Sequence, residues 1–172
     1  MKGKLTHLVS LSIEHLPIVS KWNFDPEVNE FFSGRFPNNS QEQEIWLQNQ
    51  LNKADKKKLI IIENSTNSAI GMIGIMKIDH LNKNCEIGIT IGEKTFWGKN
   101  HSHDALHVCI NFLFHQLQMH CVYATVLSSN HRALKFFAKN NFENNGFLRD
   151  AIFRNGKFEN LQFLSLINTD YK

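Results

Sequence analysis

The residues with the clearest chemical potential lie between an apolar alternating run at 86–92 and an amphipathic run that reaches about residue 117. Between them, residues 95–105 read Thr-Phe-Trp-Gly-Lys-Asn-His-Ser-His-Asp-Ala. A strand, a short polar loop and a helix in this order direct unpaired backbone N–H groups and the positive end of the helix dipole to one point. The pattern predicts an anion site, and a phosphate suits it best. The glycine spacings of P-loops and dinucleotide-binding turns are absent.

A second constellation overlaps this loop. His103 and His107 are four residues apart on one face of the predicted helix, with Asp104 between them, one residue away from the His-Glu-x-x-His zinc pattern. Asp is shorter than the Glu that acts as the base in that pattern, and no third ligand with suitable spacing follows. We therefore predict no metal site, and expect the two histidines to lie beside the phosphate site.

The elements that hold these residues come in the order strands first and βαβ units later, which predicts a mixed sheet with helices on both faces. Strands are predicted at 5–13, 59–63, 70–78, 85–91, 121–127, 142–153 and 158–167. Helices are predicted at 14–22, after the capping-box pattern at 40–43, at 102–117 and at 130–140, with a short one starting at 25. Asn155-Gly156 predicts a tight hairpin turn.

Composition limits the classes of function. A chain of 172 residues with 42% apolar residues predicts one globular domain over 1–172. The net charge of +3 argues against nucleic acid as a partner, and no apolar run is long enough to predict a signal peptide or membrane span. Cys85, Cys109 and Cys121 show no paired spacing, which indicates buried thiols in a reducing compartment and predicts a cytoplasmic protein.

The loop at 97–105 resembles the pyrophosphate loop of the GNAT superfamily of acyl-CoA-dependent N-acetyltransferases. In the branch with ribosomal-protein N-terminal and spermidine acetyltransferases, that loop often reads Trp-Gly-Lys-Gly-x-Ala-x-Glu-Ala. Asn100 and Ser102 stand here in place of the second Gly and the first Ala. Residues 22–28, Trp-Asn-Phe-Asp-Pro-Glu-Val, resemble the start of the same branch. The likeness covers nearly the whole chain and implies an α/β (α+β) fold with a mixed central sheet that contains a splayed strand pair.

The resemblance also implies acetyl-CoA as co-substrate and a set of cofactor contacts. The backbone at the end of the strand before the loop is expected to pair with the pantetheine arm, and the loop to bind the pyrophosphate. Asn130 matches the Asn of the family's Asn-x-x-Ala motif near the thioester, and is also a good helix cap. The expected cofactor-binding residues are Ile89, Thr90, Ile91, Trp97, Gly98, Lys99, Asn100, His101, Ser102, His103, Asn130 and Phe137.

For catalysis, the resemblance implies Glu86, which matches an acidic residue that several members use as a base. The alternative is a structural glutamate on the sheet, for example one paired with Lys83. The family's tyrosine acid, seven residues after Asn130, is Phe137 here, so Tyr123 on the neighbouring strand becomes the substitute candidate.

The acceptor amine is expected between the N-terminal helices and the central strands, where acidic and aromatic residues could hold a cation. The candidate acceptor residues are Glu30, Phe31, Phe32 and Trp46. A polyamine, a protein N-terminus and an amino sugar or aminoglycoside all stay open as acceptors, and a homodimer is expected from the resemblance. The rival interpretation is a non-catalytic acyl-CoA-binding or regulatory domain of the same fold.

Overall fold

The computed structural model describes residues 1–31 and 36–170. Seven strands form one sheet in the order β1-β2-β3-β4-β5-β7-β6. All neighbouring strands are antiparallel except β4 and β5, which are parallel. The strands are β1 Thr6–Ser10, β2 Lys57–Glu63, β3 Ala69–Asp79, β4 Asn84–Ile91, β5 Cys121–Leu127, β6 Glu143–Arg154 and β7 Lys157–Ile167.

Four α-helices cover the two faces of the sheet, as the sequence predicts. They are α1 Leu16–Phe24, α2 Ser40–Leu51, α3 His101–Asn111 and α4 His131–Lys139. One core contains Leu106 of α3 and Phe137 of α4 against the alternating apolar residues of β3, β4 and β5. A second core, on the opposite face, contains Trp22 of α1 and Leu47 of α2 against β2.

Several predicted boundaries differ from the structure for local reasons. The chain at 26–31 forms turns rather than the predicted short helix, although the Asp25 carboxylate does accept the N–H groups of Glu27 and Val28. The cap of α2 is Asn39 rather than Ser40, since the Asn39 side chain accepts the N–H of Glu42. The helix predicted at 102–117 is α3, followed by a π-helical turn at Phe112–Gln116.

The pairing of β4 with β5 is short, and this creates the splayed strand pair. The two strands pair only from Asn84 with Cys121 to Glu86 with Tyr123. Beyond that point β4 stays paired with β3 as far as Ile91, while β5 stays paired with β7 as far as Leu127. Within the described residues, no strand pairs with the β5-facing edge of β4 after Glu86.

Candidate active site

The split exposes specific backbone groups of β4. The N–H of Gly92 bonds to the carbonyl of Ile70 on β3, so the backbone groups of even-numbered residues in this strand point to β3. Those of Ile89 and Ile91 therefore point into the split. The carbonyl of Ile91 accepts the indole N–H of Trp97 at 2.8 Å, which ties the loop to the strand end. Ile89 keeps an N–H and a carbonyl that could pair with an extended ligand.

The loop at 97–103, called here the phosphate loop, has the conformation of an anion site. Gly98 and Asn100 both have positive φ, at 74° and 65°. A Cβ added at Gly98 would meet nothing within 4 Å, so the space beside it is open. The first backbone bond of α3 runs from the Asp104 N–H to the Asn100 carbonyl, so the N–H groups of residues 101–103 precede the helical ladder. Asn tolerates the left-handed conformation better than most residues, which explains how it replaces a glycine here.

Side chains around the phosphate loop add donors and cations. The Nδ1 atom of His101 is buried and has no hydrogen-bond partner within the described residues. Lys99 Nζ lies 6.0 Å from the ring centre of Phe96. The guanidinium of Arg132, on α4, lies 4.5 Å from the ring centre of Trp97 and bridges the two sides of the split. Sequence reasoning missed Arg132, because only the fold brings α4 beside this loop.

The other predicted cofactor residues have varied surroundings. Asn130 caps α4 by accepting the N–H of Ala133 at 3.0 Å. Phe137 is buried and packs edge-on against Phe136 and Phe142. His103 is half-buried; its Nδ1 lies 3.1 Å from the Asn140 side-chain oxygen. The contact of these residues with the cofactor stays a prediction.

Glu86 lies at the last rung of the β4–β5 pairing and is 7% exposed. One carboxylate oxygen accepts the hydroxyl of Thr125 at 2.5 Å, and the other lies 2.8 Å from Lys77 Nζ. The ion pair raises the pKa of Lys77, first through the hydrogen bond to Glu86. The partner is thus Lys77 rather than the Lys83 considered from the sequence. Because Lys77 is largely exposed, the pair is of the kind that contributes about 0–1 kcal/mol.

Tyr123 is the cross-strand partner of Glu86 in the register. Burial raises the pKa of its phenol, and the nearby negative charge of Glu86 raises it further. The phenol therefore keeps its proton at neutral pH, as an acid must. Thr125 follows Tyr123 by two residues and so shares its face of the sheet; simple alternation could have found it.

The predicted acceptor residues lie near the same face but do not form an open cation site. Glu30 is exposed. The guanidinium of Arg154 lies 5.5 Å from the ring centre of Phe31, and Lys58 Nζ lies 5.6 Å from that of Trp46. Phe32 falls outside the described residues.

The described part of the chain also bears on the metal pattern considered around His103 and Asp104. It contains no group of three or more His, Cys, Asp or Glu side chains able to hold a metal ion. The carboxylate of Asp104 accepts the N–H groups of Lys4, Leu5 and Thr6 and the Thr6 hydroxyl. Burial works against its charge, but these bonds prevail and lower its pKa. Asp104 therefore anchors the N-terminal segment to α3.

Comparison with known proteins decides the family. The profile described as the acetyltransferase (GNAT) domain matches residues 6–143. The chain belongs to this family. It is an acetyltransferase that uses acetyl-CoA as co-substrate and an amine as acceptor, and a non-catalytic role is not favoured.

Individual relatives agree with this membership. An uncharacterized N-acetyltransferase, p20, of Bacillus licheniformis is 27% identical over 167 residues, which cover 95% of this chain and 93% of the relative. The spermidine N(1)-acetyltransferase of Vibrio cholerae is 20% identical over 115 residues, 67% of this chain and 66% of the relative. A crystal structure of spermidine N-acetyltransferase from Vibrio cholerae, in complex with CoA and spermine, superposes with a TM-score of 0.88 at 17% identity and covers 97% of this chain and 98% of that one. The GNAT fold predicted from the sequence is confirmed.

Proposed function

We propose that Glu86 is the general base of this acetyltransferase and that Tyr123 is the acid. The observation that carries the proposal is their position: a buried carboxylate and a phenol of raised pKa lie side by side on one face of the sheet, on the last paired rung before the strands separate. An amine beside this rung would be within reach of the thioester of a CoA arm lying in the split.

The reaction needs three proton transfers and one bond exchange. Glu86 takes a proton from the acceptor's ammonium, directly or through water, and the neutral amine attacks the thioester carbonyl. The new C–N bond forms as the C–S bond breaks, and the Tyr123 hydroxyl gives its proton to the leaving thiolate. The nitrogen, which still carries one proton too many, then passes that proton to the Tyr123 phenolate, so the products are the neutral amide, the CoA thiol and a restored tyrosine. Cys85 and Cys109 are not expected to act as nucleophiles, because burial raises the pKa of each thiol to about 12 and keeps it protonated at neutral pH.

Acetyl-CoA binding is proposed to use backbone groups more than side chains. The N–H and carbonyl of Ile89 and the N–H of Ile91 would pair with the pantetheine arm, whereas the backbone groups of Thr90, which was predicted with them, point to β3 and would not. The free N–H groups of residues 101–103 would bind the pyrophosphate, with Lys99 and His101 as further donors. Positive φ at Gly98 and Asn100, and the open space beside Gly98, support this assignment.

The test of the proposal is the Glu86→Gln variant, which keeps the shape of the side chain and removes the base. General-base catalysis contributes roughly 10²–10⁴-fold, so kcat should fall by that order while the Kd for acetyl-CoA stays within about twofold. Steady-state release of CoA and calorimetric binding measure the two quantities. Glu44→Gln, on the exposed face of α2, is the matched control. An unchanged kcat in the Glu86→Gln variant would assign Glu86 a structural role.

A homodimer through the β6–β7 hairpin is also proposed. Strand β6 is an edge of the sheet, and Phe147, Leu148, Phe153 and Phe158 are each more than half exposed. Exposed apolar side chains on an edge hairpin favour pairing with a second copy. Analytical ultracentrifugation at micromolar concentration should give twice the chain mass of 19.9 kDa, and a monomer alone would contradict the dimer.

For the acceptor, the spermidine acetyltransferase relatives make a polyamine one candidate to test. A cytoplasmic location is proposed because the three cysteines are free thiols. No helix in the described residues is long and apolar enough to cross a membrane.

A further inference from the structure

The sheet face that carries Glu86, called here the acceptor face, has a bare patch that the packing does not explain. Gly74 of β3 and Gly88 of β4 are direct partners in the register. A Cβ at Gly74 would meet only Lys58 Nζ, at 4.0 Å, and one at Gly88 only Met76 Cε, at 3.8 Å. By contrast, a Cβ at Gly71 would lie 2.2 Å from the Thr90 carbonyl. Glycine weakens a strand and often marks the close approach of a ligand, so the pair indicates a groove floor.

A cation without an anionic partner stands at one side of this floor. Lys58 is the cross-strand partner of Gly74, and it shares a face with Ile60 and Ile62 of the second core. Its Nζ lies 5.6 Å from the centre of the Trp46 ring, and among the described residues no carboxylate lies within 4.0 Å of that nitrogen. Burial, helped by the charge of Lys56, lowers the pKa of Lys58. A partly buried cation of this kind is stabilised by an incoming anion.

Apart from the exposed Glu30, the described groups that could hold a cationic acceptor already contact cations of this chain. The Trp46 and Phe31 rings, predicted to bind a substrate cation, lie beside Lys58 and Arg154. The Asp25 and Glu27 carboxylates both pair with Lys94, at 2.9 and 2.7 Å. Glu86 pairs with Lys77. Of these four cations, Lys94 and Lys77 are paired with carboxylates, and Lys58 and Arg154 have no carboxylate within 4.0 Å among the described residues.

We infer that the acceptor is an amine that also carries a carboxylate or a phosphate, and that this anion binds Lys58 across the Gly74–Gly88 floor. The inference rests on the proposed function, in which Glu86 receives the amine. Lys58 is in register with Gly74 and Gly88, and Glu86 comes two residues before Gly88 on β4. Two strand spacings across the sheet and two residues along a strand separate the Cα atoms of Lys58 and Glu86 by roughly 12 Å. This span suits an amine and an anion separated by a sugar ring or a peptide unit. The adjacent charges of a free α-amino acid are too close together.

Matched acceptors test the charge preference. CoA release would be measured with glucosamine against glucosamine 6-phosphate, with a glycine dipeptide amide against the free dipeptide, and with spermidine. In at least one pair, the member that carries the phosphate or carboxylate should show a kcat/KM roughly 10- to 100-fold above the member that lacks it. This is the range of one charge-assisted hydrogen bond. A preference within the glucosamine pair would identify the anion as a phosphate, and a preference within the dipeptide pair would identify it as a carboxylate. Equal rates within both pairs, or spermidine as the best acceptor, would overturn the inference.

Variants at Lys58 test where the anion binds. Lys58→Met keeps the apolar part of the side chain over Trp46 and removes the charge. It should raise the KM of the acceptor that carries the phosphate or carboxylate about tenfold and leave the kcat for that acceptor nearly unchanged. Both constants for the acceptor without the anion should also stay nearly unchanged. Lys58→Arg should restore most of the loss. Lys57→Met, at the exposed neighbouring position, removes the same charge and should have no such effect.

The outcomes separate this inference from the proposed function. If neutral amines or polyamines are acetylated without a preference for anions, or if Lys58→Met and Lys57→Met behave alike, only the inference about the acceptor fails. If Glu86→Gln leaves kcat unchanged with the best acceptor, the proposed function fails, and the inference, which places the amine at Glu86, fails with it.

Discussion

Strand β4 contributes to the two regions for which a function is proposed, and these are built in different ways. At its carboxyl end it enters the phosphate loop, where backbone conformation does most of the work: two positive φ angles, a helix start and the free groups of Ile89. Near its middle it carries Glu86 on the acceptor face, where the environment is made by side chains: Thr125, Lys77 and Lys58.

This difference affects how each region can change. A backbone site accepts many side chains, provided that each adopts the required φ, so Asn100 can stand where the GNAT loop that this segment resembles often has Gly. A side-chain site changes its ligand with a single substitution. The cofactor can therefore stay constant in a family while the acceptor varies, and the charges on the acceptor face are the place to read the acceptor.

The largest effect that would test this comparison is expected from Asn100→Val. A β-branched residue at φ 65° costs about 1–2 kcal/mol, so the loop should move away from that conformation. The variant should bind acetyl-CoA roughly tenfold more weakly, measured by calorimetry well below the melting temperature. Asn100→Gly should bind at least as tightly as the parent, because glycine adopts positive φ without strain.

Asn155→Val is the matched control for this strain. Asn155 lies in the β6–β7 turn with φ 49° and is remote from the phosphate loop in the sheet order. It should lower stability by a similar amount and leave acetyl-CoA binding unchanged. If both valine variants weaken binding equally, the effect comes from general stability, and the phosphate loop is not a site that depends on its φ angles.

The phosphate loop and the order of elements could be predicted from the sequence because local patterns encode them. Trp97-Gly98 after an alternating strand, the Asn130 cap and the Asn155-Gly156 turn each depend on residues close in the chain. The same locality explains why the split was expected only by resemblance. The end of the β4–β5 pairing depends on two strands that are separated by a helix.

The acceptor face was predicted less well, since its contacts join distant parts of the chain. Lys77 follows Met76, the cross-strand partner of Glu86, so simple alternation assigns it to the other face. A bulge, with φ 49° at Lys77, turns it toward Glu86. Likewise, nothing near Phe31 in the sequence indicates that Arg154 lies against it. The acidic and aromatic residues predict a cation site, and the fold adds Arg154 beside Phe31 and Lys58 beside Trp46, which the sequence does not indicate.

The smallest effect concerns a turn outside both regions, and it separates acid effects on the fold from acid effects at Glu86. The Glu63 carboxylate accepts the hydroxyl and N–H groups of Thr66 and Ser65. The Thr66 hydroxyl is the largest of these influences, and together they lower the pKa of Glu63 from 4.5 to about 2. Since the folded pKa is the lower one, this stabilisation is present above about pH 4.5 and is lost as the pH falls toward 2.

Glu63→Gln should therefore unfold at lower urea concentration than the parent at pH 7, and the two midpoints should converge as the pH falls from 4.5 toward 2. The control variant Glu44→Gln, at an exposed position, should have the same urea midpoint as the parent at every pH. At pH 7 its midpoint should therefore lie above that of Glu63→Gln. Turnover of Glu63→Gln, measured where the protein is still folded, should keep the parent's pH profile, because Glu63 is the last residue of β2, next to the β2–β3 turn and outside both regions. A profile that shifts with Glu63→Gln would mean that acid inactivation reports the loss of this turn. The pH dependence would then carry no information about the base on the acceptor face.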